Sequence, residues 1–370
     1  MGITEKLTNL VSHTFEKLGL IVDSGVLKNK RVHELVNNLK ESHEIVKIFE
    51  NKVSEPDYDY LDDCKEELIN LEFDALIGIG GGSTLDLTKG IAVLMRNPGK
   101  AIDYRGFDLV KNPPLPVIAI PTTAGTGSEV TPSAVFTDKK EQRKLGINTE
   151  YNRPVLAILD PLLTLSCPKN VTISSGMDAL THALESFVAK SSTPISRIFS
   201  REALSLIFNN LPKIVDDTDN VELRSKLLLG SYYAGIALMN SGAGPAGAMS
   251  YILGARYNVP HGLAGAVFLP RVAKLNVEMG CLAYAPLYEL IQGADRNLSE
   301  IEKNKRFSEA LGKLCEKLSI PESVKDFGVS LDALSFLVSE SFWLKPAIEQ
   351  NPVPFTEREV QIVWESLLRD

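Results

Sequence analysis

Hydrophobic residues in the first 165 positions come in short runs that alternate with stretches of helical spacing. Five runs predict strands, and where such a run is continuously apolar we expect it to be covered on both faces. They lie at 19–23, 44–50, 75–82, 116–121 and 155–160. Three intervening stretches place apolar side chains every three or four positions and predict helices. They lie at 33–42, 58–72 and 83–95. Strands alternating with helices predict an α/β domain with a Rossmann-like parallel sheet.

The pattern changes after Asp160-Pro161. From Ser174 onward the chain shows mainly helical periodicity, and few β-rich runs remain. We therefore predict two domains: an α/β domain over residues 1–165 and an all-helical domain over residues 166–370.

Composition excludes several classes of protein. The 370 residues are 44% hydrophobic and 23% charged, which is typical of a folded globular chain. The net charge of −8, without a concentrated basic face, argues against nucleic-acid binding. No apolar run approaches the ~20 residues that span a bilayer. The start, MGITEKLTNL, lacks the pattern of a secretory signal, so we expect a cytoplasmic protein.

A glycine-rich turn follows the third predicted strand. Residues Gly80, Gly81, Gly82 and Ser83 lead from that strand into a helix. Glycines allow a ligand to approach the backbone, and a helix N-terminus offers unpaired N–H groups, so the turn can cradle a phosphate. A tight turn with a serine cap explains the same residues. The fingerprint GxGxxG is absent.

A second loop, at 121–129, follows another buried strand and is rich in hydroxyl groups. Two such loops at the ends of parallel strands suit a dinucleotide. Asp23 ends the first strand, where a carboxylate accepts from ribose hydroxyls and repels a 2′-phosphate, favouring NAD over NADP. An Asx turn with Ser24 and Gly25 is the alternative interpretation of Asp23.

Asp178 and His182 are four residues apart in a predicted helix and therefore share a face. A carboxylate and an imidazole at this spacing can hold zinc or ferrous iron, although such pairs also form simple surface hydrogen bonds. His261 lies in the turn NVPHG. It is the one other histidine of the second domain.

The chain resembles the iron-containing (group III) alcohol dehydrogenases over nearly its whole length. The resemblance rests on the glycine turn with Asp86 and Lys89, and on Lys144 with Ile147. It also rests on the segments IPTTAGTGSE, LDP, GMDALTHALE, LGARYNVPHG and NPVPFTEREV, at 120–129, 159–161, 176–185, 253–262 and 351–360.

This resemblance implies a fold of the dehydroquinate synthase-like type, with a dinucleotide domain, a helical domain and a site in the cleft between them. It implies hydride transfer between an alcohol, including a polyol or a sugar derivative, and its aldehyde or ketone. The implied nucleotide contacts are Asp23, Gly81, Gly82, Ser83, Asp86, Thr122, Thr123, Thr126 and Lys144. The implied metal ligands, for Fe²⁺ or Zn²⁺, are Asp178, His182 and His261.

The chain departs from the family pattern in one helix. The family reads HxxxH before the segment that ends in PHG, and these two positions are Gly247 and Tyr251 here. One metal ligand is therefore missing, and water or a substrate hydroxyl group would take its place. We assign catalytic roles to His261 and to Tyr251, the latter as a proton donor. An aromatic ring that merely fills the space of the missing histidine is the alternative for Tyr251.

Other functions remain open at this point. A metal-free reductase or a sugar oxidase of the same family fits the missing ligand, and so does a non-catalytic nucleotide-binding protein. A lyase similar to 3-dehydroquinate synthase shares the architecture. Glu129, Asn148, Arg256 and Tyr257 are candidate neighbours of the substrate. A homodimer is the expected assembly.

Overall fold

The computed structural model of the chain describes Leu7, Val11 and residues 14–369. The opening segment, where we predict no signal sequence, lies outside the described residues apart from Leu7. The chain divides into two compact units. The first comprises Met1–Pro168 with Asp219–Leu228, and the second comprises Lys169–Thr218 with Leu229–Asp370. In the described part of the chain, no helix is both long and apolar enough to cross a membrane.

The first unit is built around a parallel sheet, as predicted. Its strands in chain order are β1 (Lys17–Asp23), β2 (Glu44–Asn51), β3 (Ala75–Gly80), β4 (Gly106–Phe107), β5 (Val117–Pro121), β6 (Ser133–Asp138), β7 (Arg143–Asn148) and β8 (Leu156–Ala157). Five of them form one sheet in the order β2-β1-β3-β5-β8, with every pair parallel. The strands β1, β3 and β5 are therefore neighbours, and their carboxyl ends meet at one edge.

Apolar side chains cover both faces of this sheet. Its helices are α1 (Lys30–Ser42), α2 (Tyr58–Leu68) and α3 (Gly82–Leu94). Leu18 and Leu20 of β1 pack in one cluster with Leu35 of α1, whereas Ile21 packs in a second cluster with Leu61 of α2. Alternate residues of a strand point to opposite faces. The continuous apolar runs of the sequence thus reflect burial on both sides.

Two features of the first unit differ from the sequence prediction. The strands β6 and β7 form an antiparallel hairpin, joined by β4 into a second sheet of three strands. Their side chains alternate between buried and half-buried positions, so they give no continuous apolar run. The predicted strand at 155–160 is reduced to two residues, because Asp160 already caps the short helical turn that begins at Pro161.

The second unit consists of helices and connecting loops, and none of its described residues lies in a strand. The helices that follow α3 are α4 (Lys169–Val188), α5 (Pro194–Ile214), α6 (Val221–Ser241), α7 (Pro245–Tyr257), α8 (His261–Glu278), α9 (Ala285–Tyr288), α10 (Glu300–Lys317), α11 (Leu334–Ser341), α12 (Lys345–Ile348) and α13 (Glu357–Leu368). The fully buried Trp364 anchors α13, since its ring meets Phe268 edge-on and its Nε1 donates to Ser341 Oγ at 3.0 Å. The start of α6 belongs to the first unit. The predicted division at residue 165 assigns this segment to the second domain.

Two helix glycines provide a test of the packing. A Cβ at Gly90 in α3 would lie 2.7 Å from Phe136 Cζ and 2.8 Å from Leu61 Cδ2, whereas one at Gly312 in α10 would have no neighbour within 4 Å. Alanine favours a helix over glycine by about 1 kcal/mol, and overpacking costs about 1–3 kcal/mol. We therefore expect Gly312→Ala to stabilise the protein and Gly90→Ala to destabilise it in urea unfolding. Equal effects of the two substitutions would contradict this packing.

Candidate active site and metal centre

Three of the predicted nucleotide-binding segments meet at the carboxyl edge of the parallel sheet. A Cβ added to Gly80, at the end of β3, would lie 2.8 Å from Asp23 Cβ at the end of β1. The N–H of Thr122, just after β5, donates to the carbonyl of Gly80 at 2.9 Å. The strand order therefore brings Asp23, the glycine turn and the hydroxyl-rich loop together, as expected for parallel strands.

The glycine turn leaves the N-terminus of α3 without a side-chain cap. Gly81 occupies the N-cap position and, having no side chain, makes no cap hydrogen bond to the first turn of the helix. A Cβ at Gly82 would lie 2.4 Å from Thr126 Cγ2, so the second loop can approach this closely only because residue 82 is glycine. Uncapped N–H groups at a helix N-terminus suit an anionic ligand.

Asp23 forms the Asx turn that the sequence allows. Its Oδ1 accepts from the N–H of Gly25 at 2.7 Å, and its Oδ2 lies 3.4 Å from Thr84 Oγ1. This contact orients the carboxylate at the strand end, so the turn and a ribose-binding role are compatible.

Two other predicted contacts have partners within the protein. The hydroxyl of Ser83 donates to the carbonyl of Ser54. Asp86 accepts from Ser128 Oγ at 2.5 Å and from the N–H of Val135 at 2.9 Å. Both oxygens of Asp86 thus tie the second loop and β6 to α3, which shapes the nucleotide cradle.

Lys144 lies in β7 and is buried, with its Nζ 2.5 Å from Oε2 of the half-exposed Glu55. Glu55 follows Ser54, so this ion pair lies beside the loop that receives Ser83. Thr123 stands at the other side of the turn, where a Cβ at Gly81 would be 3.4 Å from its side chain. The sequence gives no signal for Glu55, because no spacing connects it with residue 144.

Within the second unit, the three predicted metal ligands converge. Asp178 Oδ1 lies 3.6 Å from His182 Nε2 and 3.8 Å from His261 Nε2. Both separations exceed a hydrogen bond. Bonds of about 2.0–2.2 Å in a tetrahedral site place neighbouring ligand atoms about 3.4 Å apart. Among the described residues this is the one group of three such side chains that could hold a metal ion, and its donor set fits a divalent metal.

A close helix contact brings His261 to Asp178. His261 is the first residue of α8 and is followed by Gly262, where a Cβ would lie 2.2 Å from the carbonyl oxygen of Ser174 and 2.9 Å from Asp178 Cβ. No residue other than glycine fits this distance. The PHG motif therefore has a steric reason in this structure.

Residues of α7 contact the ring of His261. The ring of Tyr251 stacks on it with 4.7 Å between centroids and 28° between planes. The hydroxyl of Ser250 lies 3.1 Å from His261 Nδ1. The stacking brings Tyr251 beside the ligand group, whereas Ser250 was not identified from the sequence.

Gly247 faces a buried carboxylate. Glu185 of α4 accepts from the N–H groups of Gly244 at 2.8 Å, Ala246 at 2.6 Å and Gly247 at 3.2 Å. Burial raises the pKa of Glu185 to about 7 although these amides favour its charged form. A Cβ at Gly247 would lie 3.0 Å from Glu185 Oε2, so a side chain there requires the carboxylate to shift. The i, i+7 spacing from Asp178 could have indicated that Glu185 shares its helix face.

The candidate substrate neighbours have varied surroundings. Asn148 donates to the carbonyls of Gly106 and Gly146, which is a structural role. The guanidinium carbon of Arg256 lies 4.5 Å from the ring centroid of Phe336. Glu129 is buried, and its Oε1 has no hydrogen-bond partner among the residues that the structure describes.

An uncapped glycine turn at a sheet edge and a carboxylate–imidazole ligand group are the features of a metal-assisted, nucleotide-dependent dehydrogenase. Comparison with known proteins agrees with this class. Residues 1–161 match a family model described as iron-containing alcohol dehydrogenase, and residues 172–368 match the C-terminal model of the same family. The chain belongs to the iron-containing alcohol dehydrogenase family, whose reaction moves a hydride between an alcohol and its carbonyl product.

Individual relatives match over almost the full length. The chain is 34% identical to the NAD-dependent methanol dehydrogenase of Bacillus methanolicus over 368 residues, covering 99% of this chain and 96% of the relative. A solved 1,3-propanediol oxidoreductase superposes with a TM-score of 0.93 at 30% identity, covering 98% of this chain and 95% of the other. Sulfoacetaldehyde reductase from Bifidobacterium kashiwanohense, solved with NAD⁺, gives 0.87 at 27% identity, covering 99% and 95%.

The buried Glu129 predicts a pH dependence of stability. Burial raises its pKa from the ordinary 4.5 to about 7 in the folded protein. The folded state therefore binds the proton more tightly than the unfolded state, and the resulting stability is lost as pH rises from about 4.5 through 7. Glu129→Gln removes this dependence. Between pH 5 and 8 we expect the variant to gain about 2–3 kcal/mol relative to the wild type in urea unfolding.

Glu150→Gln is the matched control, because Glu150 is exposed and paired with Arg153 at 2.6 Å. Its stability profile should stay parallel to that of the wild type over the same pH range. A Glu129→Gln profile that also stays parallel would show that Glu129 titrates normally.

Proposed function

We propose that this protein transfers a hydride between NAD(H) and a small primary alcohol or its aldehyde, with a divalent metal held by Asp178, His182 and His261. The convergence of Asp178 Oδ1 with the two Nε2 atoms carries the proposal, because these atoms are too far apart for hydrogen bonds and suitably spaced for a shared cation. The distances do not depend on the family resemblance.

The ligand set is compatible with both Fe²⁺ and Zn²⁺. One carboxylate oxygen and two imidazole nitrogens suit either ion. Gly247 contributes no donor side chain, so three protein ligands leave a position for water or substrate, as in catalytic metal sites. A bound divalent metal would polarise the substrate oxygen and stabilise developing negative charge.

The nucleotide would lie at the carboxyl edge of the sheet. The uncapped start of α3 would bind its phosphates, and Asp23 would accept from a ribose hydroxyl. The buried Lys144 adds a cation that Glu55 balances. NAD is favoured over NADP because a 2′-phosphate would meet the carboxylate of Asp23.

Residues of the second unit would handle the proton. Tyr251 stacks on His261, which keeps the phenol ring beside the ligand group. We assign its hydroxyl the role of giving a proton to the nascent alcohol oxygen during reduction; during oxidation the phenolate of Tyr251 would take that proton back. His261 contributes as a ligand and holds the plane against which Tyr251 packs.

The substrate class is a small alcohol, with polyols and sugar derivatives included. Three relatives have the names of enzymes for short substrates, methanol dehydrogenase, 1,3-propanediol oxidoreductase and sulfoacetaldehyde reductase, whereas another is named long-chain-alcohol dehydrogenase. Gly247 lacks the side chain that the family places beside the metal, and a hydroxyl adjacent to the reacting carbon would fill that place. Location in the cytoplasm and assembly as a homodimer stay predictions.

Metal content and ligand substitutions test this proposal together. We expect about one iron or zinc per chain by elemental analysis of protein purified without chelators. His182→Ala and His261→Ala should each lose the metal and lower alcohol oxidation at least about 100-fold, since each removes one of three ligands. Tyr251→Phe should retain the metal and lower kcat, because only the hydroxyl is lost.

The exposed His33 on α1 supplies the control, and His33→Ala should change neither metal content nor rate. Protein that contains no metal and takes up none would point to a metal-free reductase. NAD⁺ binding without net NADH formation from alcohols would favour a lyase or a non-catalytic nucleotide-binding protein. Tyr251→Phe with an unchanged rate would make Tyr251 a packing residue.

Cofactor choice tests the role of Asp23. Asp23→Asn keeps the acceptor for the Gly25 N–H and removes the charge, whereas Asp23→Gly removes both. We expect both substitutions to increase the ratio of NADP to NAD efficiency, by about tenfold or 1.4 kcal/mol for the lost charge. If Asp23 serves only the Asx turn, the ratio stays constant, and Asp23→Gly alone lowers stability.

A further inference from the structure

We propose that Ser250 is a positioning residue that fixes the tautomer of His261, so that its Nε2 presents a lone pair toward Asp178. Ser250 lies on α7, one residue before Tyr251, and its side chain is fully buried. The proposal adds a residue to the metal site of the proposed function and rests on that site for its catalytic consequence.

The donor and acceptor roles follow from two distances. Ser250 Oγ lies 2.6 Å from the carbonyl oxygen of Gly247 and 3.1 Å from His261 Nδ1. A carbonyl oxygen has no proton to give, so the single hydroxyl proton of Ser250 lies in the contact with Gly247. The hydroxyl therefore accepts at its other side, and His261 Nδ1 must carry a proton.

A neutral imidazole carries only one N–H group. With the proton on Nδ1, the lone pair of His261 lies on Nε2, the atom that faces Asp178 Oδ1 at 3.8 Å. The opposite tautomer would direct an Nε2–H toward that carboxylate and occupy the position where a metal binds. The Ser250 contact opposes this arrangement, since metals bind the deprotonated nitrogen of a neutral imidazole.

Ser250 and Tyr251 constrain different motions of the same ring. Stacking on Tyr251 limits the tilt of the imidazole plane. It does not distinguish the ring from one rotated by half a turn, which would put carbon where Nδ1 lies. The hydroxyl of Ser250 makes that distinction, because only a nitrogen donates to it.

The second imidazole of the site has no such partner. His182 Nδ1 is buried and has no hydrogen-bond partner in the described part of the protein. Of the two histidine ligands, His261 is thus the one whose orientation the protein sets by a side-chain hydrogen bond. With only three ligands available, that orientation has a large effect on metal affinity.

The experiment compares Ser250→Ala with Ser341→Ala. Ser341 makes the same pattern of contacts elsewhere in the unit: it is buried, donates to the Leu337 carbonyl at 2.7 Å and accepts from Trp364 Nε1 at 3.0 Å. Both substitutions remove a buried hydroxyl between a helix carbonyl and a ring N–H. They differ only in whether the ring belongs to a proposed metal ligand.

Two measurements give the result. Long-range ¹H–¹⁵N NMR of metal-free protein with ¹⁵N-labelled histidine, at a pH where imidazole is neutral, reports the tautomer of His261, assigned by its loss in His261→Gln. Titration with Zn²⁺ and with Co²⁺ alone reports the dissociation constant and, for Co²⁺, the visible spectrum of the ligand set. We expect the Nδ1–H tautomer in the wild type and in Ser341→Ala.

In Ser250→Ala we expect a mixture of tautomers and metal binding about 10- to 100-fold weaker. Ser250→Thr, which keeps a hydroxyl, should restore both properties. An Nε2–H tautomer in the wild type would overturn the proposal even if Ser250→Ala does not fold. So would a Ser250→Ala protein with an unchanged tautomer and a metal dissociation constant within twofold of the wild-type value.

These outcomes are separable from failure of the proposed function. A wild-type protein that binds neither metal but shows the Nδ1–H tautomer, lost in Ser250→Ala, retains the positioning role of Ser250 and refutes the metal site. If the wild-type protein binds metal and both serine variants bind it with the same affinity, the metal site is supported and the role of Ser250 is refuted.

Discussion

The approach of α8 to α4 at Gly262 is the constraint on which the ligand group depends. A methyl group at that position would overlap the carbonyl of Ser174, so the two helix backbones meet without an intervening side chain. This contact places the first residue of α8 beside a residue in the middle of α4. The side chains of His261 and Asp178 therefore lie close together, and a small displacement of either helix would separate them. The geometry is therefore fixed by backbone sterics before any metal contributes, which is the condition for a preorganised site.

Close approach of two backbone segments at a glycine also shapes the glycine turn of the first unit. Gly82 allows the loop that contains Thr126 to lie against the start of α3, and Asp86 ties that loop to β6 from the other side. Glycine at these positions removes a side chain where two backbones must approach, and leaves N–H groups accessible. Several residues that a motif assigns to nucleotide binding thus make hydrogen bonds within the protein. Asp86 is the clearest case, since both of its oxygens are already hydrogen-bonded.

The sequence predicted those parts of the structure that depend on short-range patterns. Continuous apolar runs located the parallel strands, and the i, i+4 spacing of Asp178 and His182 placed both on one helix face. The β6–β7 hairpin was not predicted because each strand mixes buried with half-buried positions and has only a short apolar stretch between polar residues. Glu55 and Ser250 were missed for a different reason. Their roles depend on contacts with Lys144 and His261, which are made by tertiary packing and leave no spacing to recognise. Sequence spacing does not show which residues of different helices and strands form hydrogen bonds with one another.

The surroundings of residues 247 and 251 in α7, where the family resemblance implies histidines, are physically connected. Because residue 247 has no side chain, Glu185 can accept from three amides at the start of the helix, those of residues 244, 246 and 247, and a Cβ at 247 would press on the carboxylate. One turn later, Tyr251 supplies a flat ring that packs on His261, and Ser250 meets Nδ1 of the same ring. The helix thus offers no donor side chain at residue 247 and supports the proposed ligand His261 from two directions. A site with fewer ligands depends more on how rigidly each one is held, because no redundant bond corrects a misplaced ring. The absence of a histidine at 247 and the contacts that hold the His261 ring are therefore related features of the same helix.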